Sequence, residues 1–416
     1  MSLSQKPVVA PVVAPVVAPV VAHLLPDYNA FPPVVPAGTE LRVEQVGLRQ
    51  SRYQPLIICG AFPGQAGDER IGAMHIRRIR FSPLYRRLFQ KISRLDPWPY
   101  GERMWRILDQ ERARLLHIHN EPKLLAALSR RLRATPLPVV AHIANQKPFR
   151  PQDLDLVSRF VACSQFMAEW LARTYGIEAA RIQVIHTGVD VSGRPPVWAL
   201  SPGQRQQRRR QWGIAEDAVV FVFGGRLVEE KGVQPMLEAF ERLQHQTRQP
   251  VHLLVAGNVR DSQDPDNEKA RYGRAVVARM AGMARVSWVG SLRPDQMHDF
   301  LLAGDVFMLP SLWDDPFPTV MLEAAAAGLP IVAAARGGIT EFLRGCPHLE
   351  FVPDPGNPRD LALAMERLAT QAGHRAEAGR WLRAIIEAHF DWSRVSADFE
   401  ALYDQLLPAS NLTPAS

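Results

Sequence analysis

Two short stretches carry side chains whose types and spacing suit phosphate chemistry. The first is Gly224-Gly-Arg-Leu-Val-Glu-Glu-Lys-Gly232, which directly follows an apolar run and precedes a helical pattern of Met236, Leu237, Phe240 and Leu243. Glycines such as Gly225 let the backbone approach a phosphate closely, and Arg226 and Lys231 place fixed positive charge beside it. The stretch is neither GxxxxGK[ST] nor GxGxxG, so neither a P-loop nor a dinucleotide loop is indicated. The second runs from Pro310 to Pro330, with a loop containing Pro316 and Pro318 and a helix beginning near Thr319. Free N–H groups of the Pro318-Thr319-Val320 backbone at such a helix start attract anions. Asp315 and Glu323 stand eight residues apart, in the loop and in the first turns of the helix, so both can face a ligand lying across the helix N-terminus. Val320, Met321, Leu322 and Ala324 to Ala327 leave Glu323 in a largely buried helix, where a carboxylate needs a hydrogen-bonding partner such as a diol.

The elements that hold these loops follow from periodicity. Leu56–Cys59, Leu115–His119, Val139–Ile143, Phe160–Cys163 and Ile182–Ile185 read as strands, with helical patterns at 102–114, 122–134 and 165–175. Residues 191–202, with Pro195, Pro196 and Pro202, read as a linker. Strands then resume at Val219–Phe223, His252–Ala256, Val286–Val289, Val306–Leu309, Ile331–Ala334 and Glu350–Val352. Strand–helix alternation of this kind means two doubly wound α/β parallel sheets, and ligands bind such sheets at the carboxyl ends of the strands. The expected organisation is a low-complexity PVVA-repeat extension (1–19), a first sheet domain (20–195), a second (196–385), and a crossover helix with tail (386–416). The amphipathic stretch of about 375–407 is expected to tie the two together. Val20 to Leu24 doubles as the end of the repeat and a short first strand.

These segments resemble the family-4 retaining glycosyltransferases of the GT-B fold, two Rossmann-like domains facing across a cleft. The matching stretches are Gly225–Gly232, Asp315–Glu323, Ala327-Gly-Leu-Pro-Ile-Val-Ala333, Gly337-Gly-Ile-Thr-Glu341 and Val184-Ile-His-Thr-Gly-Val-Asp190, where Thr187 replaces the usual Asn. The resemblance implies a nucleotide-diphosphate sugar as donor and a hydroxyl acceptor, a lipid-linked or cell-surface saccharide. It implies that Arg226 and Lys231 bind the diphosphate and stabilise the leaving group, that Glu323 holds the ribose, and that Asp315, usually Glu, meets the sugar. No cofactor and no essential metal are expected, and Asp264-Pro-Asp266 reads as a loop. The first domain departs from the pattern: the column that often holds a His is Ala144, and His142 lies two residues earlier. Two readings of His142 stand, a substitute site residue and an ordinary core or surface His. Gly38 is the candidate of the glycine loop after the first strand, at Val35–Thr39. His117-Ile-His-Asn-Glu-Pro122 resembles a segment of spore-coat-type and polysaccharide transferases. His119 and Asn120 either face the cleft on the acceptor side or end a strand, with Asn120 capping the next helix. The rival functions are a nucleotide-sugar 2-epimerase-like enzyme and a non-catalytic sugar-nucleotide-binding subunit.

Composition sets the outer limits. The chain has 416 residues, 47% of them apolar, enough for two cores. Its three cysteines form no CxxC pair, so neither a disulfide framework nor a zinc site is indicated. The net charge of +7 is uneven: residues 1–195 hold 26 basic against 15 acidic side chains, the remainder 23 against 27. Arg77, Arg78, Arg80, Arg86, Arg87, Lys91 and Arg94, interleaved with apolar residues, read as a basic-faced helix that suits an anionic membrane surface or is a solvated face. No nucleic-acid motif is present, and no run of 18 apolar residues spans a bilayer. The expected location is the cytoplasm, with peripheral contact to the inner face of the membrane.

Overall fold

The computed structural model describes residues 18–33, 38–80, 98–259 and 267–407. The repeat up to residue 17, Arg86, Arg87, Lys91 and Arg94 of the basic run, and Asp264–Asp266 lie outside the described residues.

The first sheet contains β1 (Val20–Leu24), β2 (Gln54–Gly60), β3 (Asp68–Ile71), β4 (Met74–Ile79), β5 (Leu115–His119), β6 (Val139–Ile143), β7 (Arg159–Ala162) and β8 (Ile182–Val184). They lie in the order β3-β4-β2-β1-β5-β6-β7-β8. All neighbours are parallel except the β3–β4 hairpin at the edge. The second sheet, entirely parallel, contains β9 (Val219–Gly224), β10 (Val251–Ala256), β11 (Val286–Trp288), β12 (Val306–Leu309), β13 (Ile331–Ala334) and β14 (Glu350–Val352). Its order is β11-β10-β9-β12-β13-β14. Central strands such as Leu115–His119 and Val219–Gly224 are buried along their whole length. Continuous apolar runs, rather than alternating ones, are what a sheet covered on both faces demands. Strand order reverses between β1 and β5 in one sheet and between β9 and β12 in the other. At such a switch point the two following loops diverge to opposite faces and leave a crevice.

Helices fill the connections. The ones that matter below are α1 (Gly38–Arg49), α2 (Trp98–Gln110), α3 (Pro122–Ala134), α4 (Gln165–Tyr175), α5 (Pro202–Arg210) and α6 (Val233–Gln246). In the second half follow α7 (Glu268–Ala281), α8 (Pro294–Leu301), α9 (Thr319–Ala326), α10 (Ile339–Leu343), α11 (Pro358–Thr370), α12 (Ala372–His389) and α13 (Trp392–Leu406). One apolar cluster runs from Ala22 and Leu116 in the first half to Val222 and Leu309 in the second, so the two sheets share a continuous core.

The crossover expected at 375–407 is two helices. Phe390 and Asp391 break the run, the Asp391 carboxylate capping α13 through Ser393 N. Val189 N donates to Phe390 O at 2.8 Å. At Gly188 a Cβ would stand 2.7 Å from the Trp392 ring, so the crossing strands touch backbone to ring. α13 returns to the first sheet and is held there by Glu400, which accepts from Ser51 N at 2.7 Å, Arg52 N at 2.8 Å and Arg52 Nε at 3.1 Å.

The basic run corrects one expectation. Arg77 and Arg78 belong to strand β4 and Arg80 follows it; they line no helix face. Arg78 is buried, donating to Phe31 O at 2.8 Å and Ala66 O at 2.9 Å and pairing with Glu69 at 2.7 Å. Arg77 pairs with Glu111. Guanidinium groups spent on carbonyls and carboxylates are no longer free for a lipid surface. No helix among the described residues is long and apolar enough to cross a membrane.

Glu400→Ala leaves two backbone N–H groups without an acceptor. It is expected to destabilise the chain by about 2 kcal/mol, the worth of hydrogen bonds to a charged group, read as a lowered midpoint of urea unfolding.

Candidate functional site

The two motif loops leave β9 and β12, the strands that flank the switch point of the second sheet. Their approach is set by glycines. Gly232 has φ +67°, and a Cβ there would lie 1.9 Å from Pro310 O, so only glycine brings the first loop against the second. Gly337, φ +53°, and Gly338 do the same from the loop after β13. Cβ atoms there would lie 2.4 Å from Asp315 O and 1.9 Å from Pro316 O. Gly338 N donates to Asp315 O at 2.9 Å. The peptide of Asp315 is thereby fixed from both sides.

On this platform the side chains meet. Lys231 and Asp315 form an ion pair, and Asp315 is 5% exposed. The Lys231 ammonium also sits 5.7 Å from the centre of the Trp313 ring. Arg226 is exposed and has no ion-pair partner among the described residues. Gly225 N donates to Ala256 O at 3.0 Å, Gly257 N to Gly290 O at 2.8 Å, and Leu227 N to Asn258 O at 3.1 Å. The turns after β9, β10 and β11 are therefore laced into one rim.

α9 begins at Thr319 with Pro318 before it and no side-chain cap, so its first N–H groups are left for another acceptor. Val320 packs against Gly224, where an added Cβ would come within 3.3 Å of its Cγ2. Gly38, at the start of α1, faces the same place, a Cβ there lying 3.9 Å from Thr319 Oγ1. Two helix N-termini, one from each half, thus open on one crevice. Glu323 lies one turn into α9. Burial pushes its carboxyl up to about 7, and the positive charge of Arg194 pulls only partly the other way. Its carboxylate has no hydrogen-bond donor among the described residues.

The first-sheet candidates are placed differently. His142 is fully buried, its Nε2 2.6 Å from Arg42 Nη1, and its ring lies near His117, His119 and Phe399. His142 stands near the carboxyl end of β6, beside His119 at the end of β5, with its ring against Phe399 of α13. His119 is likewise 2% exposed and stacks on His23. Asn120 takes φ +50°, and its side chain accepts from Ala144 N at 3.1 Å. It joins the ends of β5 and β6, and the residue preceding α3 is Glu121, so Asn120 is not the cap.

Sequence reasoning missed several groups. Glu341 clamps the halves together, its Oε2 accepting from Gln165 N at 2.7 Å and its Oε1 lying 2.5 Å from His186 Nε2. Its signal was present, the last residue of the Gly337–Glu341 motif, but the motif alone does not say which half it reaches. Arg42 is a buried guanidinium whose bonded partner is His142. Lys147, Glu121 and Tyr28 form a polar group beside the crevice, Lys147 Nζ lying 2.8 Å from Glu121 and 3.1 Å from Tyr28. Neither group has a short-range sequence signature, since their members come from distant segments.

Glu323 gives a pH test. Its carboxyl holds a proton in the folded chain between roughly 4.5 and 7, where the unfolded chain has lost it, so its contribution favours folding at low pH and is lost as pH rises through about 7. Glu323→Gln is therefore expected to be more stable than wild type at pH 8, by on the order of 2 kcal/mol, with the gap closing toward pH 5. Equal unfolding midpoints at both pH values would show that the carboxyl is not desolvated.

Comparison with known proteins agrees with this geometry. Residues 204–381 match the family model described as glycosyl transferases group 1, and residues 46–192 match glycosyltransferase family 4. The chain is 29% identical over 377 residues to the lipopolysaccharide 1,2-N-acetylglucosaminetransferase of Salmonella typhimurium, covering 89% of this chain and 94% of that protein. It is 24% identical to spore coat protein SA of Bacillus subtilis, covering 75% and 83%. Among solved structures, sucrose-phosphate synthase from Thermosynechococcus elongatus superposes with a TM-score of 0.75 at 20% identity, over 94% of this chain and all of that one. Anabaena Alr3699/HepE in complex with UDP-glucose superposes with a TM-score of 0.72 at 18% identity, over 93% and 99%.

Proposed function

We propose that this chain, which belongs to the family-4 glycosyltransferases and has their two-sheet GT-B fold, moves a hexosyl unit from a nucleotide-diphosphate sugar to an acceptor hydroxyl with retention of anomeric configuration. The observation that carries this reading is the convergence of Lys231, Asp315 and the uncapped start of α9 at one switch point, with Arg226 exposed nearby in the loop after β9.

The diphosphate occupies the crevice between the loops after β9 and β12. It accepts from the N–H groups of Thr319 and Val320 and draws Lys231 from Asp315, freeing that carboxylate for a sugar hydroxyl. Arg226 supplies the second positive charge. As the glycosidic bond breaks, negative charge grows on the leaving phosphate, and groups fixed before the reaction stabilise it without reorganising. This basic pair takes the part that a divalent cation plays elsewhere. Glu323 accepts from the ribose diol, which satisfies a carboxylate that has no donor among the described residues. The turns at 256–258 and 290–293 read base and sugar. The leaving phosphate takes the proton of the incoming hydroxyl, so no protein base is required on the acceptor side, and the interior position of His142 is compatible with this.

The acceptor is a saccharide of the lipid-linked or cell-surface class, taken up on the first-sheet side near Gly38. Support comes from the 29% identity, over nearly the whole of both chains, to a lipopolysaccharide N-acetylglucosaminetransferase.

The decisive experiment measures thermal unfolding against a panel of nucleotide diphosphates and nucleotide sugars. One nucleotide is expected to raise the midpoint of the wild type by several degrees at a hundredfold excess over its dissociation constant, about 2.7 kcal/mol, and to leave Arg226→Ala and Glu323→Ala little changed. No shift with any nucleotide would remove the donor assignment. With the donor in hand, Lys231→Ala is expected to lower kcat by about 10²–10³, and proton NMR of the product is expected to show the anomeric configuration of the donor; an inverted product refutes retention.

A further inference from the structure

The switch point of the first sheet is occupied by imidazoles. In the parallel register His23 of β1 stands beside His117 of β5, and His119 stands beside His142 of β6, so all four rings share one face of the sheet, under α13. His23, His117 and His142 are wholly buried and His119 is 2% exposed. One nitrogen from each of His23, His117 and His119 can be chosen so that all three lie within 4.8 Å of one another.

Their hydrogen bonding is incomplete. His23 Nδ1 and His119 Nε2 lie 3.0 Å apart, and His117 Nδ1 lies 2.6 Å from the Tyr403 hydroxyl. That leaves His23 Nε2, His119 Nδ1 and His117 Nε2 buried without a hydrogen-bond partner among the described residues. Gln50 reaches toward His23 and Tyr403, yet neither of its amide atoms makes a hydrogen bond of good geometry. Native interiors seldom leave so many polar atoms unsatisfied in one place, and an ion held at the His23–His119 pair takes up one of them, His117 Nε2.

We propose that His23, His117 and His119 bind one transition-metal ion of the zinc class, which fastens α13 to the first sheet. Three neutral imidazoles without a carboxylate select zinc, cobalt, nickel or copper over magnesium and calcium. Ligand nitrogens about 2.0–2.1 Å from a tetrahedral zinc stand about 3.3 Å from one another, and the His23–His119 pair is already at that spacing. On binding, the proton that one of these two rings donates to the other moves to that ring's own outer nitrogen, so both inner nitrogens ligate as neutral imidazoles and no proton is released. His117 ligates through Nε2 and donates Nδ1–H to Tyr403 of α13, an outer partner of the kind that orients metal-bound histidines. The fourth position falls to a water. Arg42 bonds His142 and keeps that ring out of the set, which is why three and not four imidazoles serve. The three rings belong to the first sheet and the diphosphate-binding candidates to the second, so the site is structural and independent of the donor assignment.

The full-length chain is stripped with chelator, incubated with zinc chloride or magnesium chloride, desalted, and its metal measured by inductively coupled plasma mass spectrometry. About one zinc per chain is expected, with no magnesium retained, together with a raised unfolding midpoint in zinc alone and a tetrahedral absorption spectrum with cobalt. His117→Gln and the milder His23→Asn are expected to weaken zinc binding at least 100-fold, and circular dichroism reports whether each remains folded. His374→Ala, at the exposed stack of His348 and His374 with ring centres 3.6 Å apart, is expected to retain the zinc. The proposal fails if the wild type retains no stoichiometric zinc, if folded His23→Asn holds it as tightly as wild type, or if His374→Ala loses it.

Discussion

Two carbonyl oxygens govern the second-sheet site. Pro310 O and Asp315 O fill the spaces in which side chains at 232 and 337 would lie, and no residue but glycine permits this. Because the loops after β9, β12 and β13 touch backbone to backbone, Lys231 and Asp315 are delivered to each other by chain geometry rather than by the reach of flexible side chains. A long ammonium side chain loses considerable rotamer freedom when it is fixed. Here that loss is incurred on folding, before any ligand arrives. The same contacts force α9 to begin at the crevice, since its first turn follows Asp315 by only a few residues.

This rigidity has an energetic counterpart. Glu323 is placed in an alanine-rich helix that suits packing against β13 but not a carboxylate, and its raised protonation range records the conflict. Lys231 and Asp315 ease a similar conflict by pairing, while Arg226 avoids it by remaining in water. Stability is conceded where a ligand must bind, a common arrangement in which the polar groups left short of partners mark the functional surface.

Much of this was legible in the sequence because it is written in local patterns. All six strands of the second sheet stand where β-branched apolar runs placed them, and the two motif loops lie at the carboxyl ends of β9 and β12. What was not legible depends on register and on distant segments. The hairpin β3–β4 hides in a stretch whose arginines look like a solvated helix face, because charged residues reveal nothing about whether carbonyls await them. Arg78 is buried only because Phe31 O and Ala66 O are there to receive it. For His142 and His119 the residue pattern left two readings open, since both end strands and the face they share is decided by the register of the pleat. Glu341 belongs to a motif that was recognised, yet its contacts with Gln165 and His186 cross from one sheet to the other, and no spacing rule encodes that.

The two switch points are filled by opposite chemistry for a physical reason. In the second sheet the loops after the flanking strands carry glycines and a helix start without a side-chain cap, which leaves backbone N–H groups open at the crevice. In the first sheet the flanking strands β1 and β5 carry histidines near their carboxyl ends, and α13 arrives from the far end of the chain to cover them. A helix that covers a polar strand end must satisfy what it buries. Tyr403 does so for one imidazole nitrogen, while three others have no partner among the described residues. Since α13 is joined to the second half through the crossing at Phe390, whatever completes the histidine cluster also fixes how firmly the second sheet is tethered to the first. The closeness of Gly38 to Thr319, on which the shared crevice depends, is therefore set partly at a place that touches neither.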